Sequence, residues 1–230
     1  MYIVYEGIDF AGKSTIAKRH AQEVKARFVM EPFTESESGK ALKAQLVSNT
    51  MTLDEEIQGY AISRLDAFKT VVHQYLKHGR IVISDRNFIT SMVYQSDNNV
   101  TMENVLQVNR KLLETYGYNI FPDVVFFIDI THETFVERYN DAKANGREIN
   151  NKDTMFLDKD VFEKYRAKYK EALGILERNH EVIVFILTPN TANVGNVMAL
   201  QAEAVAKMEE RDRKRNQSLH KAKMAKYFAE

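Results

Sequence analysis

The sequence predicts an α/β fold: a five-stranded parallel sheet flanked by helices, with a mobile lid. Three observations predict it. Short β-branched or aromatic runs recur five times in the 230 residues, and most are too apolar to alternate, as strands buried on both faces read. Longer stretches of helical periodicity separate them, the mark of a parallel sheet covered on both faces. A glycine-punctuated turn follows the first run at once.

The elements follow in order. The strand runs are YIVYE (2–6), ARFVM (26–30), RIVISD (80–85), DVVFFIDI (123–130) and EVIVFIL (181–187), of which ARFVM is the weakest. Helical patterns occupy 13–25, 38–48, 53–78, 101–116, 131–144 and 158–179. The polar segment DAKANGREINNKD (141–153), set between two helices, is the candidate lid. Composition shifts after about residue 207: the last 24 residues carry 8 basic and 4 acidic side chains and few apolar ones. The expected organisation is therefore a domain over 1–207 and a charged helical extension or solvated tail over 208–230.

Composition narrows the function. Lys plus Arg and Asp plus Glu are equal at 32 each, so no global field favours nucleic acid or a membrane surface. With no cysteine, the chain has no disulfide, thiolate metal site or cysteine nucleophile. No apolar run approaches the ~20 residues that span a bilayer, and no signal-like segment precedes YIVYEG. A soluble, cytoplasmic protein is the expectation.

Gly7-Ile8-Asp9-Phe10-Ala11-Gly12-Lys13-Ser14 fits G-x-x-x-x-G-K-[ST], between a buried strand and a helix-compatible run. Glycines let backbone N–H groups turn inward, and a helix N-terminus adds partial positive charge, so the segment suits phosphates. Gly7, Ala11, Gly12, Lys13, Ser14 and Thr15 are the expected ATP-binding residues, with Lys13 reaching the terminal phosphates. Ser14 can ligate Mg²⁺, and Asp85, closing a buried strand, is the second expected metal residue. No Asn-Lys-x-Asp base reader follows a strand, since NNKD (150–153) has the wrong spacing, which argues against a GTPase. The chain is short for a motor domain, which leaves a small-molecule kinase with a P-loop kinase fold.

Arg86 follows Asp85, and its planar fork suits a phosphate, although such a pair could also be a structural ion pair. Tyr60 lies four residues before Arg64 on one helical face, and Tyr94 and Gln95 lie one short helix beyond Arg86. Together these side chains could stack a base and read its edge.

In the P-loop with its acidic Asp9, in Glu31-Pro32 after the second strand, in Tyr60-Ala61 with Arg64, and in DRNFITSMVYQ (85–95), the chain resembles thymidylate kinases over about residues 1–205. Asn87, Thr90 and Val93 stand where the family pattern has Tyr, Ser and Ala. The resemblance implies transfer of the ATP γ-phosphoryl group to dTMP, with Mg²⁺, in a homodimer. It implies that Tyr60 stacks on thymine, Arg64 donates to O4, Gln95 pairs with the N3 edge, and Thr90 joins the dTMP site. Arg86 would hold the acceptor phosphate, Tyr94 would crowd the 2′ position, and Asp9 would bind the 3′-hydroxyl. The family places a catalytic arginine either at the position of Phe10 or in the lid. Phe10 therefore points to Arg147, which joins Lys13 and Arg86 as the expected catalytic residues. Another deoxynucleotide acceptor, such as a 5-substituted dUMP, is the nearest alternative. A deoxynucleoside kinase using Glu31 as base and a nucleotide-dependent binding protein are the others.

Overall fold

The computed structural model describes residues 1–48, 50–147, 149 and 151–227, with the backbone alone at 151 and 220–227. Five strands, β1 (Tyr2–Glu6), β2 (Arg27–Met30), β3 (Val82–Asp85), β4 (Val124–Ile128) and β5 (Ile183–Leu187), form one parallel sheet in the order β2-β3-β1-β4-β5. The continuous apolar runs become the central strands: every residue of β1, β3 and β4 is buried. The edge strands β2 and β5 are only partly covered, and Ile186 is left exposed. The weakest run thus forms its strand, at an edge where one neighbour suffices.

Ten α-helices are described: α1 (Lys13–Glu23), α2 (Glu37–Ser48), α3 (Leu53–Ala67), α4 (His73–Leu76), α5 (Phe88–Tyr94), α6 (Met102–Glu114), α7 (His132–Ala144), α8 (Asn151–Thr154), α9 (Lys159–His180) and α10 (Val194–Tyr227). A wider π-helical turn over Phe68–Val72 joins α3 to α4, so the 53–78 pattern is one nearly continuous rod. Local chemistry sets the helix starts. Thr52 and Glu55 form a capping box on α3, and Asn87 caps α5 by accepting from Ile89 N–H at 2.8 Å. The departure at Asn87 from the family pattern thus has a structural use.

The candidate lid is shorter as a loop than 141–153, because α7 runs to Ala144 and α8 starts at Asn151. Residues 148 and 150 of that segment lie outside the described residues. At the other end, α10 passes 207 without a break. Val197 and Ala204 are buried, whereas every side chain from Glu209 to Leu219 is exposed. Residues 228–230 of the expected tail lie outside the described residues. Among the described residues no helix is long and apolar enough to cross a membrane.

Chain order reverses at the centre of the sheet, since β1 lies between β3 and β4. Such a reversal leaves a crevice beyond the carboxyl ends of the strands. The turn after β1 and the end of β3 open there, with Tyr5 in register with Asp85.

Candidate active site

The turn after β1 is shaped by three left-handed or extended-positive residues. Gly7 (φ 143°) admits no side chain, because a Cβ there would lie 2.7 Å from the Ile128 carbonyl oxygen of β4. Gly12 (φ 93°) opens α1. Between them Phe10 adopts φ 63°, which costs a bulky residue energy and needs compensation from its surroundings. The compensation is visible. Its ring meets Phe135 and Tyr139 edge-on at 5.6 Å, and the Arg147 guanidinium lies 4.9 Å above its face. Arg138 of α7 donates to the carbonyls of Phe10 (3.0 Å) and Ala11 (2.9 Å).

Lys13 is buried in this loop. Its Nζ donates to the Ile8 carbonyl at 2.9 Å and lies 3.8 Å from Asp9, and burial lowers its pKa, with Arg86 adding to the effect. Ser14 Oγ donates to Asp85 Oδ2, while Asp85 Oδ1 is buried with no hydrogen-bond partner. A hydroxyl and an unsatisfied carboxylate oxygen at a phosphate loop fit a small divalent cation that keeps its other positions for water and phosphate oxygens.

Arg86 is the hub. Its backbone is left-handed (φ 72°), turning the guanidinium back across the strand ends. It donates to Asp9 at 2.5 Å, to Thr90 and Tyr169 hydroxyls at 3.1 Å each, and to the Gly7 carbonyl at 3.5 Å. Two carboxylates beside it behave oppositely. Burial pushes Glu6 up to about 7, only partly offset by Arg86 and by donors including Thr90 and Asn87. Burial also opposes ionisation of Asp9, but Arg86 and Lys13 overcome it and hold Asp9 at about 2. Across the crevice, Asp153 of α8 shares a hydrogen bond with Asp9, and burial and the Asp9 charge raise it to about 6.

Two cavities meet here. The first, about 710 Å³, is lined by Asp9–Ile16, Arg19, Arg138, Arg147 and the 189–195 turn. The second, about 600 Å³, is lined by Asp9, Tyr60, Arg86, Thr90, Tyr94, Gln95 and, from α8, Lys152 and Asp153. Asp9 lines both. The phosphate-loop residues Ala11, Gly12, Lys13, Ser14 and Thr15 therefore come together with Arg147 in one cavity, and the expected acceptor residues in the other. Gly7 sits behind the loop, touching Arg86 through its carbonyl.

Arg64 is the exception. It is 1% exposed and does not line the second cavity. Nε donates to Glu31 Oε1 at 2.6 Å, Nη2 to Glu31 Oε2 and to Ser91 at 3.3 Å, and Nη1 to Asn109 Oδ1. The guanidinium stands behind Glu31, which itself lines the cavity. Tyr60 is at the wall, and burial pushes its hydroxyl up to about 12. The Tyr94 hydroxyl and Gln95 Oε1 are buried without a hydrogen-bond partner, although both residues line the cavity.

Several site residues had no clear sequence signal. Glu6 reads as the end of a strand, and Tyr169 as helix core. Glu56 reads as one of three acids in the first turn of α3. Lys43 lines the second cavity, whereas Lys40 pairs with Glu37 at the surface. Arg166 is clamped to Asp129 and Glu163 and lines neither cavity.

Known proteins resemble most of the chain. The thymidylate kinase family model matches residues 5–194. A thymidylate kinase of Mycoplasma mobile is 29% identical over 209 residues, covering 86% of this chain and 94% of that protein. A probable thymidylate kinase of Methanocaldococcus jannaschii is 30% identical over 173 residues, covering 74% and 80%. The crystal structure of thymidylate kinase from Ehrlichia chaffeensis superposes with a TM-score of 0.61 at 18% identity, covering 87% of this chain and 98% of that one, a likeness of fold. With a phosphate loop, a second cavity joined to it at Asp9, and a family match over most of its length, this chain belongs to the thymidylate kinase family of nucleoside monophosphate kinases.

Proposed function

We propose that this protein transfers the γ-phosphoryl group of ATP to the 5′-phosphate of dTMP, giving ADP and dTDP. The observation that carries the reading is the pair of cavities meeting at Asp9, one lined by the phosphate loop and one by an aromatic and amide set. ATP would occupy the first, its phosphates against Gly12, Lys13, Ser14 and Thr15. The acceptor would occupy the second, its phosphate at Arg86, its sugar between Asp9 and Tyr94, and its base at Tyr60 and Gln95.

An acceptor phosphate oxygen forms the new bond to the γ-phosphorus while the bond to the β–γ bridging oxygen breaks. No general base is needed, because the acceptor phosphate, with a second pKa of ~6, is already largely ionised at neutral pH. The protein's work is alignment and charge neutralisation. Lys13, Arg86 and Arg147 would supply it. Ser14 and Asp85 would hold Mg²⁺, whose contribution when bound is to neutralise charge on the β- and γ-phosphates. Arg64 would act on the base through Glu31 rather than by touching O4. That ion pair also occupies Glu31, the acid expected to activate a free 5′-hydroxyl, which disfavours a nucleoside acceptor.

The test is a phosphoryl-transfer panel with ATP, Mg²⁺ and dTMP, dUMP, 5-hydroxymethyl-dUMP, dCMP, dGMP or thymidine. Turnover fastest with dTMP is the expected result. Turnover of thymidine without dTMP would overturn the reading.

A further inference from the structure

The acceptor cavity holds a carboxylate that the reaction above does not use. Glu56, on the first turn of α3, lies at the cavity wall and is largely buried. Its two oxygens have different partners. Oε2 accepts from Gln95 Nε2 at 3.2 Å, and Oε1 accepts from Lys152 Nζ of α8 at 2.7 Å.

The first contact has a consequence for recognition. A side-chain amide is nearly symmetric in shape but not in chemistry, with a donor on one arm and an acceptor on the other. An ionised carboxylate only accepts, so beside Glu56 the amide of Gln95 makes a bond only with its NH₂ turned toward the acid. Its Oε1 is then left buried and without a hydrogen-bond partner, on a residue that lines the cavity. An amide so held presents an acceptor. Thymine and uracil carry a hydrogen at N3 and satisfy it. Cytosine has a lone pair at N3 and leaves two acceptors facing each other.

We propose that Glu56 is a positioning residue that sets pyrimidine selectivity by locking the Gln95 amide with its oxygen toward the base, and that Lys152 of α8 completes this lock from the lid side. The inference rests on the proposed reaction and on Gln95 facing the N3 edge. Glu56 thus contacts the lid-side lysine and the base reader together, and α8 also carries Asp153 against Asp9.

Full-length wild-type, Glu56→Gln, Gln95→Ala and the double variant would be compared by steady-state kinetics with dTMP and dCMP, with circular dichroism to confirm folding. A glutamine at 56 can either donate or accept, so it no longer dictates which way Gln95 points. In Glu56→Gln the ratio of kcat/KM for dTMP over dCMP should fall at least ~10-fold, about the worth of one hydrogen bond. The loss with dTMP should lie in KM more than in kcat. In the Gln95→Ala background the same change at 56 should leave the ratio unmoved. A folded Glu56→Gln with the wild-type ratio, or an equal drop with and without Gln95, would overturn the inference while leaving the reaction intact. Should Glu56→Gln fail to fold, Lys152→Gln, which leaves the Glu56–Gln95 bond in place, takes over. It should lower the dTMP/dCMP ratio less than Gln95→Ala does, and a larger drop would overturn the lock. Wild-type protein that turns over neither pyrimidine would overturn both the inference and the reaction beneath it.

Discussion

The two cavities that meet at Asp9 are built from different materials. The donor side is mostly backbone: an inward-turned loop, a helix N-terminus, and carbonyls held by Arg138. The acceptor side is mostly side chain, and its polar groups are set by pairs from distant segments: Glu31 with Arg64, Glu56 with Gln95 and Lys152, Arg86 with Asp9. A backbone site binds a feature common to all nucleoside triphosphates. A side-chain site can change which base it accepts through one rotated amide. On the proposed reading, triphosphate binding and base selectivity therefore depend on different parts of the same crevice.

The largest expected break is at Arg147. Replacing it with Ala should lower kcat by ~10²–10³-fold, as loss of a phosphoryl-transfer cation does, while the KM for dTMP changes little. Single-turnover kinetics would check it, and an unchanged kcat would remove Arg147 from the donor side.

Next comes Glu6, the buried carboxylate beside Arg86. The folded state holds the proton of Glu6 up to about 7, above the ordinary 4.5, so it binds that proton more tightly than the unfolded chain. Its stabilising contribution is complete below about 4.5 and is lost as pH rises through about 7, by no more than about 3 kcal/mol. Thermal unfolding of Glu6→Gln should therefore show a shallower decline than wild type between pH 5 and 8. Parallel pH profiles for the two proteins would show that Glu6 is not the source. Asp9 has the opposite sign: its contribution is present above about 4 and fades as pH falls toward about 2.

A smaller effect is expected at Phe10. Its ring carries Arg147, a contact worth about 1 kcal/mol. Phe10→Leu should lower kcat by ~5–10-fold, and only slightly when Arg147 is already Ala, a coupling that a double-mutant cycle would measure. The smallest effect is expected at the far end of α10, where the side chains from Glu209 to Leu219 are exposed. Deleting residues 209–230 should leave kcat and KM within about twofold, and a larger loss would tie the helix end to the site.

Much of this was legible along the chain. The five runs became the five strands, and the phosphate loop sits where the strand–turn–helix pattern put it. Asp85 ends β3 beside that loop, with Arg86 next to it, because parallel register aligns Tyr5 with Asp85. Phe10 is the instructive residue. In the sequence it says only that no arginine stands there; in the structure it is the platform on which Arg147 rests, 137 positions away.

What the sequence determined by itself is what short-range physics determines: apolar periodicity, glycine where φ is positive, a capping residue before a helix, and charge type at a strand end. These depend on neighbours within a few residues, so they survive without a fold. The tertiary structure decided which charges meet. Arg64 faces Glu31 instead of the cavity, Glu56 holds Gln95 and Lys152, and Glu6 lies buried beneath Arg86 and Thr90. Each of these pairs joins residues more than 30 positions apart, and its geometry and burial exist only once the sheet has brought its strand ends together.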